Sequence, residues 1–170
     1  MVDPEYCRTM AHYNQWMNER IYAACAGIPD ADRRRDLGAF FGSLHGTLNH
    51  LVWGDGVWMS RFTGRPRPPG GPADEQCADF AELRAAREAL DGEILAWAEG
   101  IDAAWLDGEL SWTSGIDGTT RSRPAWVLAA HLFNHQTHHR GQATALMMQL
   151  GVDPGVTDLP WMPGMADGDG

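Results

Sequence analysis

The stretch Asn134-His135-Gln136-Thr137-His138-His139-Arg140-Gly141-Gln142 holds three of the chain's seven histidines within five residues, and His131 stands just upstream. On an α-helix, residues four apart lie about 40° apart around the axis and roughly 6 Å along it, so His135 and His139 can aim their nitrogens at one point. That is the geometry of a two-histidine metal clamp. His131 continues the line one turn earlier, whereas His138 falls about 60° to the other side of His135 and about 100° from His139. At most three of the four can serve one ion. The bland alternative is a pair of surface or hydrogen-bonded core histidines, because two imidazoles are not a coordination sphere. A further ligand must come from elsewhere, and the candidates are His50, His45, His12 and carboxylates such as Asp55.

The helices that would position these groups can be read from hydrophobic periodicity. From about Pro4 to Ala26, Tyr6, Met10, Tyr13, Met17, Ile21 and Ala24 recur at helical spacing, with Asn14, Asn18 and Glu19 off that line, and Gly27 and Pro29 close the segment. A second pattern runs from about Asp32 to Phe62 through Phe40, Leu44, Leu48, Leu51 and Trp58; its length predicts a bend near Gly54 and Gly56. Residues 64–72, all Gly, Pro or Arg, cannot be helical and read as a long crossover. A third helix is expected from about Ala73 to Glu99, with Phe80, Leu83, Leu90, Ile94 and Trp97 inward and Arg84, Arg87 and Glu88 on its polar side. Leu110–Thr113 and Thr119–Ser122 flank a turn-rich centre and predict a short β-hairpin or extended loop. A fourth helix should start near Pro124, end at Leu150 and stop at Gly151. Leu159-Pro160-Trp161 could dock on the body, and the tail from about Gly164 to Gly170 should fray. The expectation is an all-α fold, a single four-helix bundle over residues 1–170, and such bundles build metal sites from side chains on facing helices. His45 and His50 lie about 140° apart on the second helix, so only one of them can face a shared cavity well.

Composition removes several functions. A formal charge of −10 argues against a duplex-DNA binder, which needs a basic face for phosphates. Only Arg33-Arg34-Arg35 forms a cationic run, read as a solvated helix end. All thirteen basic residues are arginine, which excludes a Schiff-base lysine and a Walker-type phosphate loop. Cys7, Cys25 and Cys77 are widely spaced and odd in number, which fits buried small hydrophobes rather than a disulfide framework; Cys77 stands near the mouth of the long loop. Apolar runs are interrupted well before about 20 residues, and the acidic, mixed opening lacks a signal-peptide pattern, so no membrane partner and a cytoplasmic location are expected.

Ser43-Leu44-His45-Gly46-Thr47-Leu48-Asn49-His50 with the following Trp58, the string from His131 to Gln142, and Tyr13–Arg20 in the first helix resemble the DinB family. The resemblance covers about Tyr13 to Gly151. It implies a bundle of up-down-down-up topology, often homodimeric, with a divalent metal held by one histidine of the second helix and two of the fourth. Carried onto this chain, those ligands are His50, His135 and His139, while His45, His131 and His138 match no ligand position. Imidazole-only ligation suits Zn, Ni, Cu or Fe(II), with zinc or nickel favoured.

Two chemistries follow from such a centre. A thiol-dependent S-transferase or isomerase would use a low-molecular-weight thiol cosubstrate against a small electrophile, as the resemblance to thiol-dependent members of the superfamily implies. An amide or ester hydrolase would want a carboxylate as general base, for which Asp55 and Glu19 are the nearest guesses without a motif. The family's damage-inducible name implies a third class, a non-enzymatic metal-binding bundle in a stress response, and a fourth reading treats the protein as a dimerisation scaffold. Arg140 could pair with an anionic substrate, although a salt bridge to a neighbouring helix is its ordinary role. Gln142 could orient a ligand imidazole through its second nitrogen. Trp53 and Trp58 could wall the pocket, with core packing the commoner role.

Overall fold

The computed structural model describes residues 2–115 and 117–165. Four long helices dominate: α1 (Pro4–Ala26), α3 (Leu44–Thr63), α4 (Phe80–Gly100) and α6 (Ala125–Gln149), joined by short helices α2 (Asp30–Arg33) and α5 (Ala103–Asp107). Strands β1 (Glu109–Thr113) and β2 (Thr120–Pro124) form an antiparallel hairpin ahead of α6, with Leu110 opposite Arg123 and Trp112 opposite Arg121. A 3-10 turn, Leu159–Trp161, follows α6.

The long helices form a ring in which α1 touches α4, α4 touches α3, α3 touches α6 and α6 touches α1. Named contacts give the directions. Tyr22 near the end of α1 stacks on Phe80 at the start of α4, so these two run antiparallel. Phe62 late in α3 stacks on Trp97 late in α4, and these run parallel. Tyr6 meets Phe133 while Asn14 meets Arg140, so α1 and α6 are also parallel. The topology is therefore up-down-down-up, with the long crossover joining the parallel pair.

Local chemistry sets the helix ends. The Asp3 carboxylate accepts from the Tyr6 amide at 2.8 Å and opens α1. The predicted second helix is broken in two: between Arg34 and Ser43 the chain makes a tight turn in which Gly38 and Gly42 adopt φ of 75° and 72°. Ser43 Oγ then accepts from the Gly46 amide at 3.0 Å and caps α3. Periodicity alone could not see that a left-handed backbone at two glycines interrupts the pattern. Phe40, expected inside, is 84% exposed as a result. Helix α3 runs unbroken through Gly54 and Gly56, where a bend was expected. Helix α4 begins seven residues later than expected, because the Asp79 carboxylate accepts from the Ala81 and Glu82 amides. The hairpin and the fourth helix lie where the sequence placed them, to within a residue or two.

Two apolar clusters fill the bundle, one around Phe62, Ile94, Trp97 and Phe133, the other around Met17, Ile21, Leu48, Leu83 and Met147. Leu159 packs on the second cluster and the Tyr13 hydroxyl donates to the Thr157 carbonyl at 2.6 Å, so the segment after α6 docks on α1. Trp161 remains exposed, and of the tail expected to fray, residues 166–170 lie outside the described residues. The three cysteines are free, with Cys7 and Cys25 fully buried. The arginine run is not simply solvated: Arg33 is buried over the Phe80 ring and donates to the Cys25 and Ile28 carbonyls. Among the described residues, no helix is long and apolar enough to cross a membrane.

Candidate metal centre

His50 from the middle of α3 meets His135 and His139 from α6, and one ligand atom from each lies within 4.8 Å of the others. The Nε2 atom of His50 is 3.2 Å from Nε2 of His135 and 3.2 Å from Nε2 of His139. Whether these suit a metal follows from their other nitrogens. His50 Nδ1 lies 2.8 Å from the Pro72 carbonyl, which can only accept, so Nδ1 carries the proton. His139 Nδ1 lies 2.7 Å from Gln142 Oε1, which is likewise an acceptor. Both rings therefore turn bare Nε2 lone pairs towards the same point. Two lone pairs 3.2 Å apart make no hydrogen bond with each other, and a cation between them resolves the conflict.

The electrostatics agree. Burial pushes His50 down to about 4 against its bond to Pro72, and burial reinforced by the other imidazoles pushes His135 down to about 3. His139 is lowered as well, chiefly by burial. All three are neutral at pH 7, which is the ligating form. His135 Nδ1 is buried and has no hydrogen-bond partner among the described residues.

The helices are shaped to bring these rings together. A Cβ placed on Gly54 would stand 2.7 Å from Cε1 of His135, so only glycine on α3 leaves room for that ring. Gly46 performs the same service for the turn before α3: a Cβ there would collide with the Phe41 carbonyl. Phe41 in turn stacks on His50, ring centroids 3.9 Å apart and nearly parallel, and tilts against His139 at 5.5 Å. It covers one side of the centre with an apolar ring.

Next to the histidines in the bundle interior runs a polar network that touches all four long helices. Asp55 Oδ2 on α3 accepts from Arg87 Nη1 at 2.7 Å and from Gln136 Nε2 at 3.0 Å. Arg87 also pairs with Asp91 at 2.9 Å, and Asp91 accepts from Asn14 and Asn18 at 2.7 and 3.0 Å. Arg140 donates to Asn14 Oδ1 and packs over the Tyr13 ring. Two arginines and two aspartates balance, which is what permits burying four charges. Because Gln136 sits between His135 and His139, this network fixes the rotation of α6 and hence the aim of both imidazoles.

Sequence-based expectation fails here in instructive ways. Arg87, Asn14 and Asn18 were placed on polar, outward faces and are buried. Asp55, a candidate base, is wholly buried and committed to Arg87 and Gln136. Arg140 meets an asparagine instead of a carboxylate and does not join the histidines. Glu19 and His12 line a separate groove on α1, and His12 faces Glu99. His45 turns to the Cys77 carbonyl and Glu75, tying α3 to the crossover. His131 packs edge-on against Trp58, and His138 approaches Gln142. Trp53 lies beside His50, centroids 6.1 Å apart, with its indole donating to the Pro69 carbonyl. The contributions of Phe41 and the Pro72 carbonyl escaped the sequence, and no local signal points to either.

A model of the DinB family matches residues 1–169. The chain belongs to the DinB family. It is 26% identical to Protein DinB of Bacillus subtilis (strain 168) over 161 residues, covering 91% of each chain. The fold is similar to that of a DinB-like protein of Bacillus cereus, with a TM-score of 0.64 at 19% identity, covering 83% of this chain and 91% of the other. In this DinB-family bundle, the three clustered histidines could hold a metal ion.

Proposed function

We propose that this DinB-family protein is a divalent-metal-dependent enzyme of thiol-dependent S-transferase or isomerase type, acting on a small electrophile. The observation that carries the reading is the convergence of three neutral Nε2 atoms whose partners, Pro72 and Gln142, hold two of the rings with their lone pairs inward. Three protein ligands are the pattern of catalytic rather than structural sites. An ion held by His50, His135 and His139, zinc or nickel by ligand type, would keep its full charge and favour the anion of a thiol or of water.

Thiol chemistry is preferred to hydrolysis because the nearest candidate base is spent: Asp55 is buried in its pair with Arg87. A thiolate needs no general base during attack once ionised. Its proton goes to solvent, sulfur forms the new bond to carbon, and the leaving group departs with the electron pair. Phe41 stacks on one face of His50 and Trp53 tilts beside it, which gives the centre an apolar border.

The test is metal content by mass spectrometry on tag-free protein beside His50→Ala and His135→Ala, followed by assays of low-molecular-weight thiols against 1-chloro-2,4-dinitrobenzene. The expected result is about one ion per chain, lost in both variants, together with metal-dependent thioether formation. Failure to take up added zinc or nickel would overturn the reading; metal-dependent ester cleavage without thiol would replace it with hydrolysis.

A further inference from the structure

Between the later half of α3, the crossover and the β-hairpin lies a cleft of about 450 Å³. Arg61 and Arg67 line it together with Trp53 and Trp112, and among the described residues no aspartate or glutamate does. That is unusual in a chain with a net charge of −10. Seven of the thirteen arginines sit on a carboxylate, and Arg61 and Arg67 are among the six that form no ion pair among the described residues. Arg61 lies over the Trp58 and Trp112 rings, at 4.2 and 5.2 Å. Arg67 lies 5.6 Å from the Trp53 ring centroid and donates one bond, to the Gly70 carbonyl at 3.1 Å. Aromatic contacts orient a guanidinium and leave its in-plane N–H groups free for an anion. Burial and the neighbouring Arg67 charge both push Arg61 down, a repulsion that a bound anion would relieve.

The cleft adjoins the histidine centre. Pro72, whose carbonyl holds His50, is part of its lining, and so is Trp53, which packs beside His50. We propose that this cleft is the subsite for a small organic anion, a carboxylate taken by Arg61 and Arg67 on a planar or apolar body packed against Trp53 and Trp112. The inference deepens the S-transfer reading and rests on it for the role of the ligand: one of the two reacting molecules, electrophile or thiol, carries the carboxylate. Paired arginines next to a metal centre would hold that molecule with its reactive end towards the histidines.

The test titrates the metal-loaded protein with benzoate and with neutral benzamide, following the indole N–H resonances of Trp53 and Trp112. Benzoate should shift both, and benzamide should bind at least about tenfold more weakly. Arg67→Gln, at an exposed position, and Arg61→Gln should each weaken benzoate by about tenfold and leave metal content unchanged. Equal binding of the two probes, or unchanged benzoate affinity in both variants, would overturn the proposal. So would benzoate binding that survives both variants and disappears in His50→Ala, since the carboxylate would then be going to the metal. Comparing KM for carboxylate and amide forms of the electrophile and of the thiol, in wild type, Arg61→Gln and Arg67→Gln, assigns the anion to one of them. Arginine-dependent benzoate binding without thioether formation would sink the S-transfer reading alone; thioether formation with KM values indifferent to both arginines would sink the subsite alone.

Discussion

Substituting Gly54 by alanine separates the metal centre from the fold that carries it. An alanine methyl would sit 2.7 Å from Cε1 of His135, and ordinary van der Waals contact begins at 3.4 Å, so ring and helix must part by about 0.7 Å. Ligand distances in metal sites tolerate only about 0.2 Å. The His135 ring must therefore leave its position or α3 must shift, and a three-imidazole centre becomes a two-imidazole one. For the fold the terms nearly cancel: alanine in a helix interior gains about 1 kcal/mol over glycine, and overpacking costs about 1–3 kcal/mol. The net loss in metal-free stability is at most about 2 kcal/mol. The loss in zinc affinity should exceed about 100-fold, the upper end of what disturbing a ligand's support costs. Competition against a chromophoric chelator measures the affinity, and urea unfolding in the presence of a strong chelator measures the stability. Gly92→Ala is the control: nothing lies within 4 Å of a Cβ there, so it should add up to about 1 kcal/mol and leave zinc binding alone. If Gly54→Ala binds zinc within threefold of wild type, the claim that this glycine makes room for a ligand is wrong.

Three other outcomes are expected. Gln142→Leu removes the acceptor on His139 Nδ1 and should weaken zinc by about tenfold with little change in melting temperature, whereas Gln142→Glu, which keeps an acceptor, should restore binding. Arg87→Met leaves Asp55 and Asp91 buried without their cation and should cost about 3–5 kcal/mol in urea unfolding; a loss below about 1 kcal/mol would show the network to be unimportant. In metal-stripped protein, folded His50 and His135 resist protonation down to about 4 and about 3, while the unfolded chain takes up those protons near 6.5. The unfolded state thus binds more protons in that window, so stability is fully present above about pH 7 and is lost as pH falls from 6.5 towards 4. Thermal melts at pH 7.5 and 5 that coincide would contradict this.

Much that depends on neighbours along the chain was available from the sequence, although the turn at Gly38 and Gly42 and the Asp79 cap of α4 were not read from it. The i, i+4 spacing of His135 and His139 fixes their common aim once the segment is helical, and that aim is a local property of the 3.6-residue turn. The hairpin around Trp112 and the end of α6 just before Gly151 are also written in short stretches of turn and cap residues. The reach from His139 to Gln142 is again one helical turn. Spacing left the further ligand open among His50, His45, His12 and carboxylates such as Asp55, with at most one of His45 and His50 able to serve, and the resemblance pointed to His50.

Tertiary structure decided the rest, because it depends on pairs far apart in sequence. His50 turns its Nε2 to α6 while the Pro72 carbonyl holds its Nδ1, and His45 turns instead to the Cys77 carbonyl, both contacts with the crossover. Asn14, Asn18 and Arg87 look like surface residues by type, and they are inside because Asp55 and Asp91, from two helices, together with Arg140 make burial of the set electrically neutral. Phe41 covers the centre only because Gly38 and Gly42 fold the preceding turn back on α3. Arg61 and Arg67 are two charges six residues apart in sequence; the hairpin that brings Trp112 beside them is what makes them one cleft. A chain can specify which groups lie one turn apart through backbone geometry alone, but which polar groups may be buried is settled by the partners that arrive from other helices.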